Sequence, residues 1–225
     1  MARIRHGVIG LGFFGEYHTQ MASSMAEVEL AAVCTRRQQR LDEVASKYEA
    51  SKRFADYREL LADPEIDSVS IVTHVYDHRD IAVAALKAGK HVLLEKPMAA
   101  TVEDCDAIIR ASQSAKGILM VGHICRFDPR AALAKEAVEQ GRIGKIVYMY
   151  ARRNLSARIG KEVLDKISPL FGDGIHDTDI MLWLSGAKVE TVYAQNVRLG
   201  TSKYPDIGSA IYNGYSHYKR KQKAH

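Results

Sequence analysis

The stretch Gly10-Leu11-Gly12-Phe13-Phe14-Gly15 constrains the fold of this chain most, because of the sequence on either side of it. Ile4 to Ile9, before it, is a short apolar segment that predicts a first β-strand, and residues 17–25, after it, predict a helix. A G-x-G-x-x-G spacing between a strand and a helix is typical of a turn that holds a dinucleotide. Its glycines let the backbone approach a pyrophosphate, whose charge meets the helix N-terminus. We therefore predict a dinucleotide site here, with a turn that binds no ligand as the alternative.

Strands and helices alternate over the rest of residues 1–122, which predicts an α/β fold with a doubly wound parallel sheet, a Rossmann domain. The predicted strands are residues 28–34, 68–72, 91–95 and 117–122, and the predicted helices are residues 38–48, 57–61, 81–88 and a helix whose apolar face begins at Val102. Residues 123–225 form a second predicted domain of the α+β class. It has helices at 129–140 and 173–185, strands at 146–151 and 189–197, a weaker strand pattern at 209–218, and an irregular polar segment at 152–169.

Composition excludes several functional classes. The net charge of +5 comes mainly from four basic residues among the last seven, and the remainder carries 28 basic and 27 acidic residues. A basic tail of this kind does not predict a nucleic-acid groove. No run of 18 apolar residues predicts a membrane span, and no signal peptide is recognisable before the first strand. Three widely spaced cysteines predict reduced thiols and no metal site, so we expect a cytoplasmic protein.

Lys96 and His176 are the first candidates for chemistry. Lys96 ends the predicted strand 91–95, at the sheet edge where open α/β sheets bind ligands, and Pro97 restricts its backbone; a cis bond is one option there. His176 lies on the inner face of the predicted helix 173–185. Asp173 either assists that histidine or serves as the helix N-cap, and Asp177 and Asp179 suit the helix dipole. A solvated lysine and a hydrogen-bonded core histidine are the alternatives.

The residues after the second strand indicate which dinucleotide would bind. Twenty residues past the glycine turn stand Thr35, Arg36 and Arg37, with Arg40 one turn later, where an acidic residue would bind ribose hydroxyls. The absence of a carboxylate and the presence of guanidinium groups suit a 2′-phosphate, so the sequence favours NADP over NAD. A solvated helix start is the alternative.

Four segments together resemble the glucose–fructose oxidoreductase / inositol dehydrogenase / MocA family: the glycine turn, A-G-K-H-V-L-L-E-K-P at 88–97, G-H-I-C-R-F-D-P at 122–129 and G-I-H-D-T-D at 174–179. The similarity covers about residues 3–200. It implies a nicotinamide-binding Rossmann domain followed by an α+β domain with an open, mainly antiparallel sheet. It also implies oxidation or reduction of a sugar or cyclitol, and homo-oligomers that associate through that sheet.

The resemblance assigns roles to individual residues. The family's catalytic lysine and histidine map onto Lys96 and His176, whereas the usual aspartate position holds Gly172, with Asp173 one residue later. Residues 73–78 match the loop that carries T-P-x-x-x-H, although His74 replaces the proline. The candidate cofactor contacts are Gly10, Gly12, Phe13, Phe14, Gly15, Thr35, Arg36, Arg37, Arg40, Thr73, His74, His78, Glu95, Lys96 and Arg126.

Three functions fit these features: an NAD(P)-dependent sugar or polyol dehydrogenase, a dinucleotide-binding protein without turnover, and a redox-assisted glycosidase that uses tightly held NAD. Arg126, Arg152, Arg153 and Arg158 are candidates for binding an anionic sugar, with solvated arginines as the alternative. Members of the resembled family run well past 300 residues, and the sequence after Gly208 lacks the family pattern. We therefore expect the second domain to be incomplete, through a frameshift or premature stop near Gly208.

Overall fold

The computed structural model describes residues 3–154, 170–198 and 208–215. The chain divides into two compact units, residues 1–122 and 123–225. None of the helices within the described ranges is both long enough and apolar enough to cross a bilayer.

The first unit is built from six parallel strands and five helices. The strands are β1 (Ile4–Ile9), β2 (Val28–Cys34), β3 (Lys52–Phe54), β4 (Ser68–Ile71), β5 (His91–Leu94) and β6 (Leu119–Val121). The helices are α1 (Phe13–Ser24), α2 (Gln38–Lys47), α3 (Tyr57–Ala62), α4 (Val75–Lys87) and α5 (Val102–Ser114). The sheet order is β3-β2-β1-β4-β5-β6, so strand order reverses between β1 and β4. The predicted doubly wound sheet is confirmed.

Apolar side chains bury both faces of this sheet. Val8 and Leu30 belong to a cluster that includes residues of α1 and α2, and Ile71 and Leu94 belong to a second cluster with residues of α3, α4 and α5. A fully buried Val, Ile or Leu side chain contributes roughly 1.5–3 kcal/mol to stability. The two apolar layers therefore hold the strand ends, and the loops that follow them, in fixed positions.

Helix starts in the first unit fall into two groups. Asp56 caps α3 by accepting from the Arg58 N–H, and Thr101 caps α5 by accepting from the Asp104 N–H. By contrast, α1 follows Gly12 and α4 follows His74, and neither residue makes a side-chain cap. Both helices also begin earlier than predicted, at residues 13 and 75 instead of 17 and 81. The apolar periodicity used for the prediction misses them because their first turns carry exposed or polar side chains.

Within its described residues, the second unit contains two α-helices and a two-stranded antiparallel sheet. The helices are α6 (Pro129–Glu139) and α7 (Ile175–Ser185), and the strands β7 (Thr191–Arg198) and β8 (Gly208–Tyr215) pair with each other. Asp128 caps α6, and a π-helical turn at Leu170–Gly174 leads into α7. This pair agrees with the mainly antiparallel sheet that the family resemblance implies.

One strand predicted for the second unit is wrong. Residues 146–151 form no strand, and Val147, Tyr148 and Tyr150 are exposed. A strand requires a hydrogen-bonded neighbour, and within the described residues β7 and β8 pair only with each other. Of the irregular segment predicted at 152–169, only residues 152–154 lie within the described residues.

The glycine turn allows a matched pair of substitutions that tests this fold. A Cβ at position 15 would lie 1.8 Å from the Gly10 carbonyl oxygen, whereas a Cβ at position 12 would meet nothing within 4 Å. We expect Gly15→Ala to lower the free energy of unfolding by about 3 kcal/mol, because backbone would have to move. We expect Gly12→Ala to lower the free energy of unfolding by about 1 kcal/mol or less. Chemical denaturation of both variants checks this, and equal losses would contradict the described turn.

Candidate functional site

The three glycines of the turn satisfy three different requirements. Gly10 has φ +96°, a left-handed conformation, and a Cβ there would lie 2.4 Å from the Val72 carbonyl oxygen. Gly15 packs against the Gly10 carbonyl, which closes the turn onto α1. Gly12 is exposed with open space above it, and the N–H groups of the first turn of α1 receive no side-chain cap. This cradle, which a Cβ at Gly12 would begin to fill, fits the pyrophosphate of a dinucleotide.

Two of the predicted cofactor arginines contact the glycine turn itself. Arg37 Nη2 donates to the Leu11 carbonyl at 3.1 Å, and Arg40 Nε donates to the same oxygen at 3.0 Å. Arg40 also pairs with Glu16 in the first turn of α1. Arg36 and Arg37 are both exposed, but Arg36 makes no hydrogen bond to this turn among the described residues, and Thr35 beside it is half-buried. The structure therefore gives Arg37 and Arg40 a supporting role and leaves Arg36 facing outward.

Sequence reasoning missed Glu16, whose carboxylate accepts hydrogen bonds from several side chains. Lys47 Nζ donates to it at 2.8 Å and the Tyr48 hydroxyl at 3.1 Å, in addition to Arg40. The Lys47 ammonium and the Arg40 guanidinium lower the pKa of Glu16 to about 2. An acidic residue in the first turn of α1 was the available signal. These contacts tie α2 to the start of α1.

Residues 73–78 do not form the predicted loop, because α4 begins at Val75. Thr73 stays beside the glycine turn, with its Cγ2 3.0 Å from a Cβ built at Gly10, and His74 is exposed. His78 is buried instead. Its Nδ1 lies 2.9 Å from the Pro97 carbonyl oxygen and its Nε2 lies 3.3 Å from that of Thr73.

Burial lowers the pKa of His78, and the backbone carbonyl groups that its ring faces oppose that shift. A carbonyl oxygen only accepts, so Nδ1, at the shorter distance, donates to the Pro97 carbonyl. His78 therefore holds the backbone that follows Lys96 and has no exposed edge for a cofactor.

Lys96 follows β5 at the carboxyl edge of the sheet, and its bond to Pro97 is cis. The preceding Glu95 is buried, and its Oε2 accepts the Lys96 backbone N–H at 3.1 Å. The other carboxylate oxygen lies 3.1 Å from Nε2 of His18 on α1. Sequence reasoning missed His18, because 77 residues separate it from Glu95.

In the second unit, His176 lies buried in the first turn of α7. The prediction of Asp173 as N-cap is wrong, because α7 begins at Ile175 and Gly174 occupies the cap position. Asp173 belongs to the preceding π-helical turn, which displaces it from the cap. The hydrogen bonds to Asp177 raise the pKa of Arg153, and the nearby carboxylate of Asp173 adds a smaller effect in the same direction.

The other aspartates of α7 form ion pairs. Asp179 accepts two hydrogen bonds from Arg126, at 2.8 and 2.5 Å, and Asp177 accepts two from Arg153, at 2.8 and 2.9 Å. The sequence predicted only an interaction of these two aspartates with the helix dipole, and the structure adds an ion pair for each. Arg152 is exposed and donates to Asn154, and Arg158 lies outside the described residues.

The structure thus brings two groups of predicted residues together in the first unit, the glycine turn with Arg37 and Arg40, and the Lys96 segment with Glu95 and His78. Both lie at the carboxyl edge of one sheet, on either side of the point where strand order reverses. In the second unit, His176 shares α7 with the two paired aspartates. Within the described ranges, no group of three or more His, Cys, Asp or Glu side chains could hold a metal ion.

Comparison with known proteins gives two matches to families. The family described as "Oxidoreductase family, NAD-binding Rossmann fold" matches residues 4–123, and the "GFO/IDH/MocA C-terminal domain" matches residues 131–213. The second match extends past Gly208, where the sequence predicted a break.

Individual proteins match over most of the chain. It is 35% identical to a myo-inositol 2-dehydrogenase of Thermotoga maritima, over 92% of this chain and 64% of that protein. It is also 35% identical to a UDP-N-acetylglucosamine 3-dehydrogenase of Acidithiobacillus ferrooxidans, over 90% and 61%. The crystal structure of scyllo-inositol dehydrogenase from Lactobacillus casei with bound NAD(H) and scyllo-inositol superposes with a TM-score of 0.80 at 28% identity, over 94% and 66%.

The chain spans less than two thirds of the length of these relatives. The family match nevertheless covers the whole of the described parallel sheet and its glycine turn. With this turn, this strand order and these relatives, the chain belongs to the GFO/IDH/MocA family of oxidoreductases.

Proposed function

We propose that this chain is an NAD(P)-dependent dehydrogenase that moves a hydride between a nicotinamide and a hydroxyl carbon of a cyclitol or sugar. The observation that carries the proposal is that the open glycine turn and Lys96 lie at the same carboxyl edge of one parallel sheet. Ligands of open α/β sheets bind at this edge. The names of the relatives, inositol and nucleotide-sugar dehydrogenases, support the substrate class.

Each proposed catalytic residue has a distinct task. Hydride transfer is the chemistry that a bound nicotinamide supplies. The Lys96 ammonium donates to the hydroxyl oxygen of the substrate and stabilises its alkoxide character. His176 removes the hydroxyl proton as general base in the oxidation direction and returns it in the reduction direction. Asp173, in the turn before α7, is the candidate for orienting His176.

The ion pairs of α7 favour a neutral substrate over an anionic one. Arg126 and Arg153 each donate two hydrogen bonds to an aspartate, so a uronate would have to displace that aspartate to form the same contacts with either arginine. Breaking such a pair leaves a partly buried carboxylate without its partner, which is costly. We therefore propose a neutral cyclitol or sugar as the substrate.

We further propose a preference for NADP over NAD, with Arg36 as the residue that binds the 2′-phosphate. Residues 35–41, which follow β2, include no carboxylate, and Arg36 is exposed there without the hydrogen bond to Leu11 that Arg37 and Arg40 make. Cytoplasmic location and homo-oligomers formed through the sheet of the second unit remain predictions from the sequence.

The cofactor preference is tested by fluorescence titration with NADPH and NADH. We expect tighter binding of NADPH, and we expect Arg36→Ala to weaken NADPH binding about tenfold while leaving NADH binding within about threefold, because one charge-assisted contact is lost. Arg79→Ala, which removes an exposed arginine of α4, is the matched control. An equal loss for both dinucleotides would contradict the role of Arg36.

The role of Lys96 is tested by Lys96→Ala, with Lys116→Ala as the control at an exposed position. We expect Lys96→Ala to lower kcat with a cyclitol about a hundredfold or more, because the alkoxide loses its donor, and to leave NADPH affinity within about threefold. The assay compares myo-inositol and scyllo-inositol with glucuronate.

Turnover in Lys96→Ala equal to that of Lys116→Ala would contradict the catalytic role. Saturable NADPH binding without turnover of any sugar or cyclitol by the wild-type chain would favour the dinucleotide-binding alternative instead. Cofactor that copurifies and never exchanges would favour the glycosidase.

A further inference from the structure

A row of hydrogen-bonded polar side chains crosses one face of the parallel sheet and ends at Lys96. Its members, in spatial order, are Ser68, His6, Ser70, His18 and Glu95. The successive distances are 2.8, 3.0, 3.1 and 3.1 Å, and the free oxygen of the Glu95 carboxylate accepts the Lys96 N–H at 3.1 Å. The row begins at the first residue of β4 and reaches the residue after β5.

Strand register explains why these side chains share a face. His6 of β1 pairs with Ser68 of β4, and side chains two residues apart on a strand point the same way, so Ser70 continues the row. His18, on α1, extends the row through its hydrogen bond with Ser70. Ser70 and Glu95 are both buried, and polar groups there cost free energy unless each is hydrogen-bonded.

The Glu95 carboxylate sets the direction of the hydrogen bond from His18. A carboxylate oxygen accepts, so His18 donates from Nε2, and the tautomer with this single N–H accepts at Nδ1 from the Ser70 hydroxyl. The Ser70 oxygen then accepts from His6 Nε2, and His6 Nδ1 accepts from Ser68. Burial lowers the pKa of His6 to about 4, which agrees with a neutral ring there.

We propose that His18 and Glu95 are positioning residues for Lys96: the carboxylate of Glu95, oriented by His18, holds the Lys96 backbone, and its charge sets the tautomers of both histidines. His78 holds the same segment from its other end by donating to the Pro97 carbonyl. The part of this inference that concerns catalysis rests on the proposed function of Lys96.

The first test measures histidine tautomers by ¹⁵N NMR in Glu95→Gln. The amide must offer its carbonyl to the Lys96 N–H, so its NH₂ faces His18 Nε2, which has to accept. We expect the proton of His18 to move from Nε2 to Nδ1, and the proton of His6 to follow in the same direction through Ser70. Glu103→Gln, at an exposed position, should change neither ring.

The double variant Glu95→Gln with Ser70→Ala separates the link between Glu95 and His18 from the link between His18 and His6 through Ser70. Relative to Ser70→Ala alone, we expect the double variant to change the tautomer of His18 and to leave that of His6 the same, because the hydroxyl that connects them is gone. Unchanged tautomers in Glu95→Gln, or a difference at His6 between Ser70→Ala and the double variant, would overturn the proposed row. These results do not depend on enzymatic activity.

The second test compares His18→Gln, which retains a donor toward Glu95, with His18→Leu, which retains only bulk. We expect kcat to fall about tenfold or more in His18→Leu and to stay within about threefold in His18→Gln, with NADPH affinity unchanged in both. Equal kcat in the two variants would overturn the positioning role. A wild-type chain without turnover would instead refute the proposed function, and the tautomer measurements would still decide the row.

Discussion

The close packing of Gly15 against the carbonyl oxygen of Gly10 is the contact on which the rest of the site depends. A Cβ at position 15 would overlap that oxygen at 1.8 Å, so only glycine lets α1 begin directly beside the end of β1. This placement directs the uncapped N–H groups of α1 into the space above Gly12. It also sets the position of His18, one turn further along the same helix, where it reaches Glu95. One short backbone approach therefore determines both the proposed cofactor cradle and the support of Lys96.

The parallel sheet supplies the second constraint. Its apolar layers fix the strands, and the carboxyl ends of β1, β4 and β5 carry the glycine turn, Thr73 and Lys96 along one edge. The groups that hold this edge are buried, whereas those available to ligands, such as Gly12 and Arg36, are exposed. Rigid support beneath exposed functional groups is the arrangement that catalysis requires, because small misplacements are costly.

The sequence was sufficient for the features that depend on local pattern. Alternating apolar segments predicted the doubly wound sheet, and the motifs around Gly12 and Lys96 predicted a candidate site whose residues the structure places after β1 and β5, at the carboxyl edge. Contacts between distant residues were not predictable: nothing in the sequence links His18 to Glu95, or Arg40 to the Leu11 carbonyl. The strand predicted at 146–151 was wrong for a related reason, since an alternating pattern does not reveal whether a partner strand is present.

A ¹H–¹⁵N NMR map of the chain, recorded as NADPH is added, tests directly whether the dinucleotide binds at the glycine turn. We expect the largest shifts at the amides of the glycine turn, at Arg36 and at Lys96, which lie along one edge of the sheet. Saturable binding with shifts confined to the second unit, or the absence of any shift at the glycine turn, would contradict this prediction.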